Sequence, residues 1–154
     1  MDAIAVTPAP KKAKKSRVDG QVTGLSGELF VAAELLKRGL QTSVTFGNAK
    51  AIDLFAYNLI TKRTYNVQVK ALRAKNYFLL SHKNVEPTHA YVFVLLNKPG
   101  QPVQYYIVPG EVLHAEPEKF GKPLMHPSMP GIHSKLLTEL GYEDKWSLFG
   151  PNAD

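Results

Sequence analysis

Ala51-Ile52-Asp53-Leu54-Phe55-Ala56-Tyr57 is followed by a break over Asn58 to Arg63 and then by Thr64-Tyr65-Asn66-Val67-Gln68-Val69-Lys70-Ala71. The first run is almost wholly apolar and of strand length, and the second is rich in β-branched residues. A turn between two such runs predicts a β-hairpin. Asp53 is the single charge in the first run. Side chains alternate along a strand, so Asn66, Gln68 and Lys70 share one face of the second arm, and Tyr65, Val67, Val69 and Ala71 the other. With the turn centred near Thr61, Asp53 lies opposite Gln68 or Val69, and an acid, an amide and a lysine converge on adjacent strands.

Upstream, helical periodicity begins near Leu25 and stops at Gly39, behind Lys37 and Arg38, with Thr23 or Ser26 available as a cap. At about 100° per residue, Leu25, Leu29, Ala32, Leu35 and Leu36 fall in one arc, the expected core face, with Glu34, Lys37 and Arg38 opposite. Glu28 lies on the flank of that arc, in the first turn. A carboxylate held against a core loses hydration and calls for a partner or a metal. Thr42 to Phe46 reads as a strand ended by Gly47-Asn48.

Downstream, Tyr77 to Leu80 reads as a short strand and Ala90 to Leu96 as a strand buried on both faces. Val103 to Val108 is its expected neighbour, closed by Pro109-Gly110. Glu111 to Ala115 starts a short helix, residues 116–134 are irregular, and Ser134 to Leu140 forms the last helix. Trp146 and Phe149 are expected to pack the tail down. The sum is an α/β domain over residues 21–154, with a mixed central sheet of about five strands flanked by helices.

The 154 residues contain no cysteine, which excludes a disulfide framework and a thiolate metal site. No stretch approaches the roughly 18 apolar residues of a membrane span, and the N-terminus lacks the order of a secretory signal. A cytoplasmic protein is the expectation. The net charge is +6, and half of that surplus sits in residues 1–20, where Lys11, Lys12, Lys14, Lys15 and Arg17 face only Asp2 and Asp19. That segment, with Pro8 and Pro10 and little to bury, reads as a flexible basic arm suited to a polyanion. Arg73, Lys75, His82 and Lys83 are further candidates for contact with nucleic acid, along with Lys37, Arg38 and Arg63. The five histidines, His82, His89, His114, His126 and His133, show no metal-ligand spacing and read as surface or loop residues.

The ordered set of a helix carrying Glu28, a strand with the lone Asp53, and a strand with Gln68-Val69-Lys70 resembles the PD-(D/E)xK superfamily of restriction-endonuclease-like nucleases. Gly24-Leu25-Ser26-Gly27-Glu28 and Leu36-Lys37-Arg38-Gly39 resemble the first helix of archaeal Holliday-junction resolvases and their small bacterial and phage relatives. Ala90 to Leu96 and Tyr105-Tyr106-Ile107-Val108-Pro109 are similar to the later strands of those proteins. The resemblance spans residues 24–115.

It implies a restriction-endonuclease-like fold and a metal-dependent endonuclease that hydrolyses DNA phosphodiesters, resolvase-like or of mobile-element or phage type. Glu28, Asp53, Gln68 and the Val69 backbone carbonyl would hold Mg2+ or Mn2+, and Lys70 would orient the attacking water. A homodimer is common in the family. The chain departs from the pattern at Gln68, where the family usually has an acid: glutamine offers a carbonyl oxygen without a charge. The alternative is therefore a catalytically inactive module of the same fold that binds DNA or a protein partner.

Overall fold

The computed structural model describes residues 3–10, 17–46 and 52–154. Lys11, Lys12, Lys14 and Lys15, expected to contact nucleic acid, fall outside the described residues. Residues 3–10 lie outside any helix or strand and are exposed. Helix α1 spans Arg17–Lys37, so it starts well ahead of Leu25 and takes in the end of the stretch expected as an arm. Asp19 in its first turn complements the helix dipole, and Thr23 Oγ1 donates to the Asp19 carbonyl. Gly39, at φ 87°, ends the helix in the left-handed conformation that favours glycine.

Strands β1 (Leu40–Val44), β2 (Leu54–Asn58) and β3 (Arg63–Leu72) follow, with β2 and β3 forming the expected hairpin. Next come β4 (Tyr77–Leu79), β5 (Ala90–Leu95), β6 (Gln104–Pro109) and α2 (Gly110–Ala115), and then β7 (Gly131–His133) and α3 (Ser134–Glu139). The main sheet has the order β1-β2-β3-β5-β6. The β3–β5 pair is parallel and its other pairs are antiparallel. This is the mixed five-stranded α/β architecture expected. All six residues of β5 are buried, as its unbroken apolar run predicts. A second sheet pairs β4 with β7, and only half of it was legible: Tyr77 to Leu80 reads as a strand, whereas the three residues of β7 lie inside residues 116–134, read as irregular, and are too few to show a period.

Helix α1 turns a different side to the sheet from the one expected. Gly27, Val31, Ala32 and Leu35 are buried, while Leu25, Leu29 and Leu36 are 43%, 49% and 54% exposed. The helix is apolar on almost every side between Val22 and Leu36, so periodicity admits two faces. Gly27 selects between them: a Cβ there would lie 2.5 Å from Ala71 Cβ, so only glycine lets α1 approach β3 this closely. Arg38, expected among solvated charges, packs 4.5 Å from the Trp146 ring centroid, and its Nη1 donates to the Ala153 carbonyl (2.6 Å). It anchors the C-terminal segment.

One core lies between α1 and the sheet and includes Trp146, Phe149 and Ala153. The other lies on the opposite face, where the chain after β6 covers β5 and β6 with Phe120, Leu124, Ile132 and Leu137. That cover stops short of β1 and β2. Their second face, with Gln41, Ser43 and Phe55, stays exposed. Gln68 and Lys70 belong to this same face, at the border between its covered and bare halves.

Candidate active site

Asp53 stands immediately before β2, where the hairpin ladder ends. Its N–H donates to the Val67 carbonyl (2.9 Å), and its own carbonyl accepts from Thr45 N–H (2.9 Å). Thr45 Oγ1 donates to the Ile52 carbonyl at 2.6 Å. The ladder position on β3 is then taken by a side chain: Asp53 Oδ2 accepts from Val69 N–H at 2.7 Å. This bond places the carboxylate against the backbone between Gln68 and Lys70. The N–H and C=O of one strand residue point toward the same neighbour, so the Val69 carbonyl faces the Asp53 side as well.

Glu28 reaches the same end of the sheet from α1. The close crossing at Gly27, against Val69 and Ala71, puts the next residue beside the hairpin. Partial burial raises the Glu28 carboxyl above its ordinary value, and the negative charge of Asp53 raises it further. Two acids from distant parts of the chain thus share one electrostatic neighbourhood.

Gln68 and Lys70 line a cleft of about 690 Å³ together with Lys83, Glu86, Ser128 and Met129. Gln68 Nε2 lies 3.3 Å from His89 Nδ1. His89 was expected at the surface and is instead buried at the foot of β5. Nothing in its spacing announces this, because the parallel β3–β5 register is what carries it to Gln68.

The other expected nucleic-acid residues diverge. Lys83 belongs to the cleft. Arg73 Nε donates to Thr23 Oγ1 on α1 (2.8 Å). His82 Nε2 donates to the His114 carbonyl (2.9 Å), with the two rings stacked. Lys75 lines a separate hollow with Gln104, Tyr106 and His133. Arg17 opens α1. Among the described residues, Arg73, Lys75, His82 and Lys83 have different surroundings.

Among the described residues no three His, Cys, Asp or Glu side chains gather as a metal cluster. A donor set here has two carboxylates, and an amide and a backbone carbonyl must supply the rest. Those are all oxygens, which fits a hard cation such as Mg2+ or Mn2+.

No protein-family model matches the chain, nor does any curated protein. Among solved structures, a bacterial homing endonuclease, I-Ssp6803I, aligns over 83% of this chain and 90% of that one, with a TM-score of 0.53 and 14% identity. The two chains share a fold. At that identity the likeness concerns architecture, and the chemistry has to be argued from the side chains. No helix among the described residues is long and apolar enough to cross a membrane.

Proposed function

We infer that the protein is a metal-dependent DNA endonuclease of the PD-(D/E)xK type, with Glu28, Asp53, Gln68 and Lys70 as its catalytic set. The observation that carries this reading is the anchoring of Asp53 Oδ2 on Val69 N–H, between Gln68 and Lys70, with Glu28 near enough to feel the charge of Asp53. The likeness in fold to an endonuclease supports it.

Glu28, Asp53, the Gln68 carbonyl oxygen and the Val69 carbonyl would hold Mg2+ or Mn2+. When bound, the cation offsets charge building on the phosphate and makes hydroxide available near neutral pH. Asp53 is held in place by its backbone bond, so its carboxylate is oriented in advance. Lys70 Nζ adds a compact positive charge from the same strand, orients the attacking water and steadies the scissile phosphate. Lys83, in the same cleft, draws in a second phosphate of the DNA backbone. The bare face of β1 and β2 gives the duplex room to lie against the sheet. The basic stretch Lys11 to Arg17 adds salt-dependent affinity, and branched DNA and a homodimer belong to the same reading.

Cleavage of plasmid and four-way-junction DNA with Mg2+, repeated for Asp53→Asn and Lys70→Ala, tests the site. Cleavage that survives both substitutions rules it out. A second reading is favoured by Gln68, which removes one negative charge from the donor set: the same fold binding DNA without cutting it. Calorimetric titration with Mn2+ separates the two, since a non-cutting module shows no heat that depends on Asp53.

A further inference from the structure

Gln68 Nε2 can only donate, so the His89 nitrogen it meets, Nδ1, must be the acceptor. This contact corresponds to the tautomer that carries its proton on Nε2. The backbone of His89 is tied at both its N–H and its carbonyl. His89 N–H donates to the Glu86 carbonyl (3.1 Å), and the His89 carbonyl accepts from Gly110 N–H (2.7 Å). The Tyr91 hydroxyl accepts from Glu86 N–H at 2.8 Å, closing the same turn from β5. Gly110 permits this clamp, because a Cβ there would collide with the Glu86 carbonyl oxygen and crowd that of His89.

We propose that His89 is a positioning residue for Gln68, fixing which end of the carboxamide acts as nitrogen donor and which as oxygen ligand. An acid at position 68 would need no such device, since its two oxygens are equivalent. A glutamine does, because a carboxamide rotated by half a turn presents an N–H group, which repels a cation. The clamped turn of residues 86–89 therefore compensates for the departure from the acidic pattern. Partners that orient a metal ligand in this way typically change metal affinity by about 10- to 100-fold. The proposal rests on the inferred role of Gln68 as a ligand in the nuclease site.

Two measurements on the full chain test it. Nitrogen–proton correlation spectra of the metal-free protein should show His89 protonated at Nε2, and the Gln68 side-chain amide should shift in His89→Ala. Mn2+ affinity should fall about 10- to 100-fold in His89→Ala, by a similar factor in Gln68→Ala, and no further in the double variant. His89→Asn, whose Oδ1 can accept in place of Nδ1, should recover most of the loss. Protonation of His89 at Nδ1 overturns the proposal. So does unchanged Mn2+ affinity in His89→Ala where Gln68→Ala weakens it, or an asparagine variant no better than alanine. If Asp53→Asn also leaves Mn2+ binding intact, the nuclease site itself has failed, and the His89 tautomer still decides the contact with Gln68.

Discussion

Asp53 stands just before the five-residue strand β2 and Asn58 is its last residue, two polar side chains of similar shape at the ends of an apolar stretch. Their surroundings differ completely. Asn58 is fully buried, and each of its polar atoms has partners inside the protein. Oδ1 accepts from Ile60 N–H (3.0 Å) and Thr61 N–H (3.2 Å), while Nδ2 donates to the Phe149 carbonyl (2.7 Å) and Asn152 Oδ1 (2.9 Å). It forms the hairpin turn and latches the C-terminal segment to it. Asp53 sits at the open end, with one oxygen on a backbone amide and a second acid nearby. A polar group satisfied on all sides by neutral partners is built for stability. A carboxylate placed beside a second acid works against stability, and such pairs mark candidate functional sites.

Exchanging the two chemistries is the most direct way to break this contrast. Asp53→Asn keeps an oxygen for Val69 N–H, so the thermal midpoint should hardly move while Mg2+-dependent cleavage drops by more than about 100-fold, beyond the usual effect of an outer partner. A large fall in midpoint with activity retained would make Asp53 a second latch. Asn58→Asp should do the reverse. It loses both donors and sets a carboxylate against the Phe149 and Asn152 oxygens, costing on the order of 3 kcal/mol of stability in denaturant titration. Turnover per folded molecule should stay unchanged.

Gly27→Ala probes how the open end is assembled. The added Cβ meets Ala71, so α1 must lift from β3 and carry Glu28 away from Asp53. A loss of about 1–3 kcal/mol is expected, together with weaker Mn2+ binding. Stability lost with Mn2+ affinity intact would separate the helix from the site.

The smallest effect concerns Glu28. Its carboxyl is raised above the ordinary value of 4.5, so the folded chain takes up a proton more readily than the unfolded one. The corresponding stabilisation is complete below that value and is lost as pH rises through the raised one. Glu28→Gln should therefore make the metal-free protein slightly more stable near neutral pH and remove this part of its acid dependence. Adding Mn2+ should reverse the ranking, because only the wild type gains a ligand charge. Differential scanning calorimetry at two pH values, with and without Mn2+, reads both signs.

The hairpin, the doubly buried β5 and the packing of Trp146 and Phe149 were legible because each depends on a short run of side chains with one dominant period. The burial of α1 was not. Its leucines outnumber its glycines, and hydrophobicity alone favours the leucine side, whereas the close contact with Ala71 that makes Gly27 the inner face lies far along the chain. His89 was hidden for the same reason: its partner is chosen by strand pairing, and a lone histidine before an apolar strand carries no mark of it.

Residue type and order determined the fold class and the candidate acids, amide and lysine, because strand alternation and helical periodicity act locally and every residue obeys them. Tertiary structure alone decided which polar group at the ends of β2 is a latch and which faces another charge. It also decided which side of α1 is inner, and that a histidine lies against Gln68. Those outcomes depend on distances between segments remote in sequence, where burial, close approach and Coulomb interactions are set.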